Sequence, residues 1–548
     1  MYYKSKFFMF MVIVSLFLFL FPSIFSAHAY IKKSTPIENQ MLEQAPKEIT
    51  IQFDETVQPA FNSIKVFDSD GNRVDKKDGR IDPKQPSILK SGLKKNLPEG
   101  TYRIKWKVVS SDGHPVEGVI PFQIGTKDQG PAKIHKETTG YTPKADLIII
   151  RWVQYLSNAC YVGLLFFYMV ILPKEYRKNG STDKLFLRLL SSSLVLLFLS
   201  ILLSLPLQAT IESGFPWSEV FSFQTFENML MNTNFGQAWI YQVAILLTLA
   251  LITSFIGMAE STKRILLWVC LALATALLLT KALTSHAAAQ ANQLLTISMD
   301  FLHLLAASIW IGSLIGFVAL FSWCKNEKTK QEYLQMMKGF SKWGIILVLL
   351  LTFTGVFGSL LYIPNPSSLI QTTYGKVLTS KVTLFLLMLI LAGVNFIKGK
   401  GKKEKGLFAS LWGELSIGVI ILILSVVLTN LPTAIQSPGP YKETKTVQGN
   451  QVTLRVTPNT IGENLYELTL QDRQGEPIKD IEQLHLTFSM TEMDMGKETV
   501  NLKKVSDDRF EVQGLHFIMA GEWNVHVHIL TKSLESIDTD FHVLVGSQ

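Results

Sequence analysis

Residues 101–125 read TYRIKWKVVSSDGHPVEGVIPFQIG, and this stretch decides the fold of the N-terminal part of the chain. Apolar and polar residues alternate on both sides of the segment SSDGHP, as in two half-buried strands separated by a turn. Asp112 and His114 are two residues apart, so on a strand or at its end both side chains point to one side. The stretch predicts β-structure that brings a carboxylate and an imidazole together.

The same alternation extends over residues 28–125, where turn signals such as DSDGN and LPEG separate the apolar runs. It predicts a small all-β sandwich or barrel. Two lysines and an apolar run ending near Phe21 precede it, which is the layout of a signal peptide over residues 1–27, or of an uncleaved anchor. Residues 126–145 are predicted to form a linker.

The central part of the chain, residues 146–431, is predicted to be a polytopic α-helical membrane bundle. Charged residues make up only 18% of the chain, and the mean hydropathy is +0.24. About eight apolar runs approach the ~20 residues that cross a bilayer. They lie near 147–172, 186–209, 236–258, 265–283, 297–324, 343–363, 377–397 and 411–431.

Basic residues orient this bundle. They concentrate in alternate loops, whereas the loops 210–235, 284–296 and 364–376 hold only Lys376 between them. Positive-inside logic puts the basic loops in the cytoplasm and both ends of the chain outside, in the cell membrane. The net charge of +8 is therefore mostly an orientation signal and does not point to nucleic acid. Arg151 and Lys381, near the outer ends of spans, are expected to snorkel to the interface.

The tail, residues 444–548, again alternates with period two, as in VTLRVTP and WNVHVHIL, and predicts a second extracellular all-β domain after a linker at 432–443. The three cysteines, Cys160, Cys270 and Cys324, lie in apolar segments, which leaves the soluble parts without a disulfide framework or a cysteine zinc site.

Asp112 and His114 would suit Cu(II) or Zn(II) if further ligands joined them. Cleavage after Ala27 would make His28 the N-terminal residue, whose amine and ring complete an N,N,N,O set of the kind Cu(II) prefers. Cleavage after Ala29 fits the A-x-A pattern better and would remove His28. A plain turn at SDGHP is the alternative interpretation.

Residues 28–125 closely resemble the CopC family of copper-binding proteins, through HAYIKKSTPIENQ, ITIQFDETVQPAFNSIKVFDSDGNRV and LPEGTYRIKWKVVSSDGHPVEGVIPFQIG. The resemblance implies a cupredoxin-like barrel that binds Cu(II) through His28, Asp112 and His114, and it favours cleavage after Ala27. Met41 is the only methionine between residues 28 and 140, so no Cu(I) site is expected there.

A second candidate site lies inside the bundle, at His286, Met299, Asp300 and His303. Asp300 and His303 are three residues apart and share a helix face. Ionisable residues in a membrane span usually mark function. The alternative is a packing role, since Gly312 and Gly316, spaced as G-x-x-x-G, predict close helix contact on the same segment.

The bundle resembles the CopD family over most of 146–431, through SHAAA, DFLHLLAASIWIGSL and TTYGKVLTSKVTLFLLMLILAGVNF. The resemblance implies a membrane partner of CopC in copper handling and marks His286, Asp300 and His303 as ligands. The whole chain looks like a YcnJ-type CopC–CopD fusion, a copper transport or resistance protein.

The tail resembles YtkA-like β domains. Thioethers favour Cu(I), and imidazole also accepts Cu(II). His526 and His528 alternate with apolar residues and so share the polar face of one strand. A metal site or an ordinary surface both fit this pattern. The candidate ligands of the tail are Met490, Met493, Met495, Met519, His526 and His528.

These observations predict a copper acquisition protein and no enzyme. Cu(II) would bind the N-terminal domain, with Cu(I) as an option in the membrane and the tail. The expected partners are copper, membrane lipid, and an extracellular chaperone or reductase, without nucleic acid. The alternatives are copper resistance by sequestration or export, a membrane b-type cytochrome with His286 and His303 on a haem, and a copper-sensing scaffold.

Overall fold

The fold has three parts in chain order: a β domain, a bundle of long helices and a second β domain, so the predicted fold class is confirmed. The computed structural model describes residues 31–37, 40–53, 56–59, 61–109, 115–125, 143–177, 180–213, 216–258, 262–285, 292–325, 327–400, 407–435, 437–478, 481–491, 496–518 and 520–546.

The N-terminal domain packs two four-stranded sheets face to face. Their buried faces meet where the rings of Phe53 and Trp106 lie 5.3 Å apart. The strands are β1 (Ile31–Thr35), β2 (Gln40–Leu42), β3 (Glu48–Phe53), β4 (Ser63–Phe67), β5 (Arg80–Ile81), β6 (Ile88–Gly92), β7 (Gly100–Val109) and β8 (Pro115–Ile124). The strand orders are β1-β3-β6-β5 in one sheet and β2-β8-β7-β4 in the other.

Strands β7 and β8 pair antiparallel along their full length, from Gly100 opposite Ile124 to Val109 opposite Pro115. On β7, alternate residues such as Tyr102 and Ile104 are buried, as the sequence alternation predicts. The pairing brings the two ends of segment 110–114 together. This segment, which includes Asp112 and His114, lies outside the described residues, as does His28.

Eight helices among the described residues are long and apolar enough to cross a membrane. They are α1 (Ala145–Phe166), α2 (Gly180–Ser213), α3 (Asn234–Ile256), α4 (Lys263–Leu283), α5 (Gln293–Ala319), α6 (Glu327–Tyr362), α7 (Thr373–Lys400) and α8 (Leu407–Leu428). Short helical segments lie at Phe167–Ile171, Lys174–Arg177, Trp217–Val220, Phe223–Asn232, Phe321–Lys325 and Ser368–Gln371.

Helix α6 begins at Glu327, well before the apolar run predicted at 343–363. The added residues, EKTKQEYLQMMKGFSK, are mostly strong helix formers, so the helix continues beyond its apolar part. Helix α5 likewise begins at Gln293, four residues before the run predicted at 297. Hydropathy locates the apolar part of a span, whereas propensity and capping decide where the helix begins.

The C-terminal domain packs a five-stranded sheet against a four-stranded sheet. Its buried core includes Tyr466, Phe488 and Trp523. The strands are β9 (Tyr441–Val447), β10 (Asn450–Thr457), β11 (Gly462–Gln471), β12 (Ile481–Met490), β13 (Glu498–Asn501), β14 (Lys503–Lys504), β15 (Arg509–Phe517), β16 (Gly521–Thr531) and β17 (Ser536–Val545). The strand orders are β14-β15-β11-β10-β9 in the first sheet and β13-β12-β16-β17 in the second.

Candidate metal centre

His303 is held on α5 by a hydrogen bond that fixes which ring nitrogen is free. Its Nδ1 lies 2.8 Å from Thr354 Oγ1 on α6. The Thr354 hydroxyl donates its proton to the carbonyl of Leu350 at 2.7 Å, so toward His303 it can only accept. In this arrangement His303 donates through Nδ1, a tautomer assigned from the hydrogen bonds. This leaves a lone pair on Nε2, the arrangement found in metal-binding histidines.

Asp300 lies one helical turn before His303 and accepts a hydrogen bond from Ser285 Oγ at 2.8 Å. Ser285 immediately precedes His286, which itself lies outside the described residues. The end of α4 and the beginning of α5 thus meet at Asp300. The predicted sharing of one helix face by Asp300 and His303 is consistent with their joint position in the wall of one cavity.

That cavity has a volume of about 1330 Å³ and opens among the ends of the helices next to both β domains. Met299, Asp300 and His303 all line it. His303 is ten residues into α5, so it lies about 15 Å along the helix at ~1.5 Å per residue. The cavity therefore leads from the β-domain side of the bundle well into its interior.

Three basic side chains of the helices also line the cavity: Arg151, Lys281 and Lys381. Arg151 donates to Gln208 Oε1 at 3.0 Å and to Asn430 Oδ1. Arg151 and Lys381 thus line an internal cavity. The sequence instead predicts that their side chains snorkel to the membrane interface. Lys281 does not stand out in the sequence, because one lysine at the end of an apolar run gives no pattern.

These basic side chains affect how strongly the cavity can bind a copper ion. The guanidinium of Arg151, which is always protonated, repels a metal cation that enters, as does either lysine when it is protonated; the repulsion is strong where little water screens it. The described acidic residues of the cavity wall are Glu117, Glu212 and Asp300. Asp300 lies within a helical turn of His303, so this pair combines a carboxylate with a neutral imidazole donor.

The N-terminal β domain closes part of the same cavity. Ile31, three residues after His28, lines it together with Lys107 and Glu117. Lys107 and Glu117 pair across β7 and β8 and flank the segment that contains Asp112 and His114. Burial lowers the pKa of Lys107, and the nearby carboxylates of Glu117 and Glu212 oppose that shift. The chain on both sides of the predicted Cu(II) ligands thus borders the space that His303 lines.

Two contacts between described residues help to dock this domain on the bundle. Lys107 Nζ donates to the backbone carbonyl of Glu212, near the end of α2, at 3.3 Å. Phe61 packs against an apolar cluster that includes Leu205 and Met229. Phe61 has a φ of 59°, a left-handed conformation that a bulky residue rarely adopts, so the docked position is held against local strain.

Helix α5 is positioned by an unusually close approach to α1. A Cβ atom at Gly312 would lie 2.4 Å from the carbonyl oxygen of Ala159 and 2.5 Å from Gly163 Cα. A Cβ at Gly316 would lie 2.8 Å from the ring of Phe167. The close contact predicted from the G-x-x-x-G spacing is confirmed. It fixes the helix that carries Asp300 and His303.

The candidate ligands of the tail divide between two faces. Met490 is buried on the core face of β12 with Leu486 and Phe488. His526 and His528 lie on the outer face of β16, as the alternation predicts. Met493, Met495 and Met519 lie outside the described residues. Met490 and the two histidines therefore point to opposite sides of one sheet.

Four family models match the chain, in the order of its structural parts. They are the CopC domain at residues 31–125, the copper resistance protein D-like N-terminal domain at 143–295, copper resistance protein D at 334–428 and a YtkA-like domain at 444–528. The predicted combination of CopC, CopD and YtkA-like parts in one chain is confirmed.

Copper transport protein CutJ of Bacillus subtilis (strain 168) is 35% identical over 542 residues, which cover 97% of this chain and 98% of that protein. This chain belongs to the same family of copper transport proteins. Copper resistance protein D of Pseudomonas syringae pv. tomato is 30% identical, over 45% of this chain and 80% of its own length. A crystal structure of CopC from Methylosinus trichosporium OB3b is 31% identical, covers 18% of this chain and 93% of its own, and gives a TM-score of 0.17.

Membership of this family identifies copper as the metal that the chain handles, and the eight apolar helices are those of a multi-pass membrane protein. The relatives are transport and resistance proteins, not known enzymes. Imidazole nitrogen suits copper, so His303 Nε2 is a chemically suitable donor for that metal.

Proposed function

We propose that this protein imports copper: its N-terminal domain captures Cu(II) outside the cell and transfers it to the membrane bundle. The observation that carries the proposal is the shared cavity. Its wall includes Asp300 and His303 from the bundle, and it also includes Lys107 and Glu117 from the strands that flank the predicted capture ligands. Copper released from the capture site would enter this space without passing through bulk solvent.

The capture step is assigned to His28, Asp112 and His114. An N-terminal amine, two imidazoles and a carboxylate give the N,N,N,O donor set that Cu(II) prefers. The assignment requires cleavage after Ala27, because cleavage after Ala29 removes the residue that supplies two of the nitrogens. Ile31 borders the cavity three residues after His28, which supports a capture site at the cavity mouth.

The membrane step is assigned to His303 and Asp300, with Met299 and His286 as further ligands. The neutral imidazole binds the ion without adding to the positive charge of the cavity, and the carboxylate of Asp300 offsets part of that charge. Arg151, Lys281 and Lys381 then limit how long the ion stays, because they repel it. A site of modest affinity favours onward movement, since a transported ion must leave as well as bind.

The orientation of the chain supports the proposed inward direction of movement. The cavity opens near the beginnings of α1, α3, α5 and α7, at the end that carries the β domains. The basic loops belong to the opposite end, which positive-inside logic places in the cytoplasm. Both β domains would then be extracellular, and copper captured there would move inward.

Deleting the protein tests the direction of transport. We expect cells without it to contain less copper when copper is scarce, and to recover when the wild-type chain is restored. Total cell copper measured by mass spectrometry, with zinc as the control metal, gives the answer. Higher copper in the deletion strain would overturn import and favour the resistance alternative, by sequestration or export. A Soret band in the purified protein would instead indicate a haem protein.

Replacing Phe61 by alanine is expected to slow copper uptake several-fold while leaving Cu(II) capture intact. The ring packs, partly buried, on the bundle. Complete burial of such a ring contributes about 1.5–3 kcal/mol, so loss of its smaller contribution still weakens docking of the capture domain. Initial uptake rates and Cu(II) affinity are measured on the same protein. Met41→Ala, at a side chain that is 70% exposed, is the matched control. Equal uptake rates in the two variants would contradict transfer through the docked domain.

A further inference from the structure

The outer face of the C-terminal four-stranded sheet holds a cluster of histidines and aspartates that the transport route does not use. His526 and His528 on β16 face Asp540 and Asp538 on β17 in register. His485 on β12 lies opposite His528 on the other side. Residues on three neighbouring strands thus form a row across the sheet, His485–His528–Asp538, and His526 lies beside this row.

The donor atoms of this cluster converge. Asp538 Oδ1 lies 2.6 Å from His528 Nδ1 and 3.3 Å from His526 Nε2. One ligand atom from each of these three residues lies within 4.8 Å of the others. Donors at right angles around a metal, each at ~2.0 Å, are about 2.8 Å apart. The observed spacings are therefore close to those of neighbouring ligands on one ion.

The side chains that hydrogen-bond to the donor residues are those expected around a metal site. His526 Nδ1 lies 3.0 Å from Asp540 Oδ1, which also accepts from Asn524 at 2.9 Å. A carboxylate on the far ring nitrogen is the usual partner of a metal-binding histidine, because it fixes the ring and leaves the other nitrogen free. Ser536 donates to the second oxygen of Asp538. The donor groups are thus oriented before any ion arrives.

We propose that His526, His528 and Asp538 form a second Cu(II) site on the C-terminal domain, with His485 as its fourth ligand. Nitrogen and oxygen donors suit Cu(II), which binds such sets more tightly than the other common divalent metals of its row. Met490, the described methionine of the predicted tail ligands, is buried on the opposite face of the sheet, so the described residues of this site hold no thioether that would favour Cu(I).

One further contact supports this assignment. The ring of His485 lies 4.7 Å from that of His528, near enough for His485 to join the site after a side-chain rotation.

The test uses the full-length protein in detergent with the other proposed copper sites removed by Asp112→Ala, His114→Ala and His303→Ala. Cu(II) is titrated against a chelator of known affinity. We expect His526→Ala combined with His528→Ala to weaken binding at the remaining site by about 100-fold or more, and the nitrogen hyperfine splitting in the electron paramagnetic resonance spectrum to disappear. His542 is an exposed histidine on the same sheet, so His542→Ala is the matched control. It should leave the Cu(II) affinity and the hyperfine splitting unchanged.

A second measurement needs no substitution and therefore no refolding of a variant. Diethylpyrocarbonate labels free imidazoles, and mass spectrometry of the wild-type chain reports labelling at His526 and His528 with and without Cu(II). We expect Cu(II) to protect both residues and to leave His542 reactive. Unchanged labelling together with unchanged affinity in the double variant would overturn the site. Tighter binding of Zn(II) than of Cu(II) would overturn the choice of metal.

Discussion

Replacing His303 by alanine is expected to reduce copper uptake at least about 100-fold, more than the ~10- to 100-fold typical of losing only a partner of a metal ligand. The imidazole donates through Nδ1 to Thr354 and presents Nε2 as a donor in the cavity. Alanine removes the nitrogen and leaves a small void. Radioactive copper uptake by cells that contain equal amounts of each variant measures the effect.

Two companion variants separate a ligand role from a structural one. Leu294→Ala changes an exposed side chain on the same helix, 78% accessible, and should transport normally. Thr354→Val keeps the shape of the side chain but removes the acceptor that fixes the His303 ring. It should lower uptake by about 10- to 100-fold with little change in folded yield. Wild-type uptake in His303→Ala would contradict the assignment.

The position of Thr354 illustrates what the sequence cannot predict. His303 and Asp300 stand out because polar residues are rare and costly inside an apolar run. Thr354 is 51 residues from His303, and a threonine in a span is unremarkable because it can bond to its own helix. Its role depends on how α5 and α6 pack, which no local pattern encodes. The cavity and the convergence of Arg151 and Lys281 on it are hidden for the same reason.

The C-terminal cluster shows the same limit in a β domain. Alternation alone puts His526 and His528 on one face, because side chains on a strand alternate between faces. Asp538 and His485 join them only through the registers of β16 with β17 and β12. A shift of one residue in either register would turn the partner side chain to the other face. Local pattern therefore predicts half of the cluster and strand pairing supplies the rest.

The spacing of Gly312 and Gly316 is a local pattern that does predict a tertiary contact. It also leads to the prediction with the largest expected effect on stability. Gly312→Ala should destabilise the folded bundle by about 1–3 kcal/mol or more, the usual cost of overpacking. The added Cβ would lie 2.4–2.5 Å from backbone atoms of Ala159 and Gly163, which cannot rotate away. Helices α1 and α5 must then separate. Thermal unfolding in detergent, followed by tryptophan fluorescence, measures the change.

Gly344→Ala is the control, because it is expected to change the stability of the folded bundle in the opposite direction. Gly344 lies on α6 with open space where a Cβ would be, so alanine meets no atom. Alanine favours a helix over glycine by up to about 1 kcal/mol, so this variant should be neutral or slightly more stable. Since α5 also carries Asp300 and His303, Gly312→Ala should lose copper uptake together with stability. If both variants unfold at the same temperature, the close packing of α1 on α5 does not hold the transport site in place.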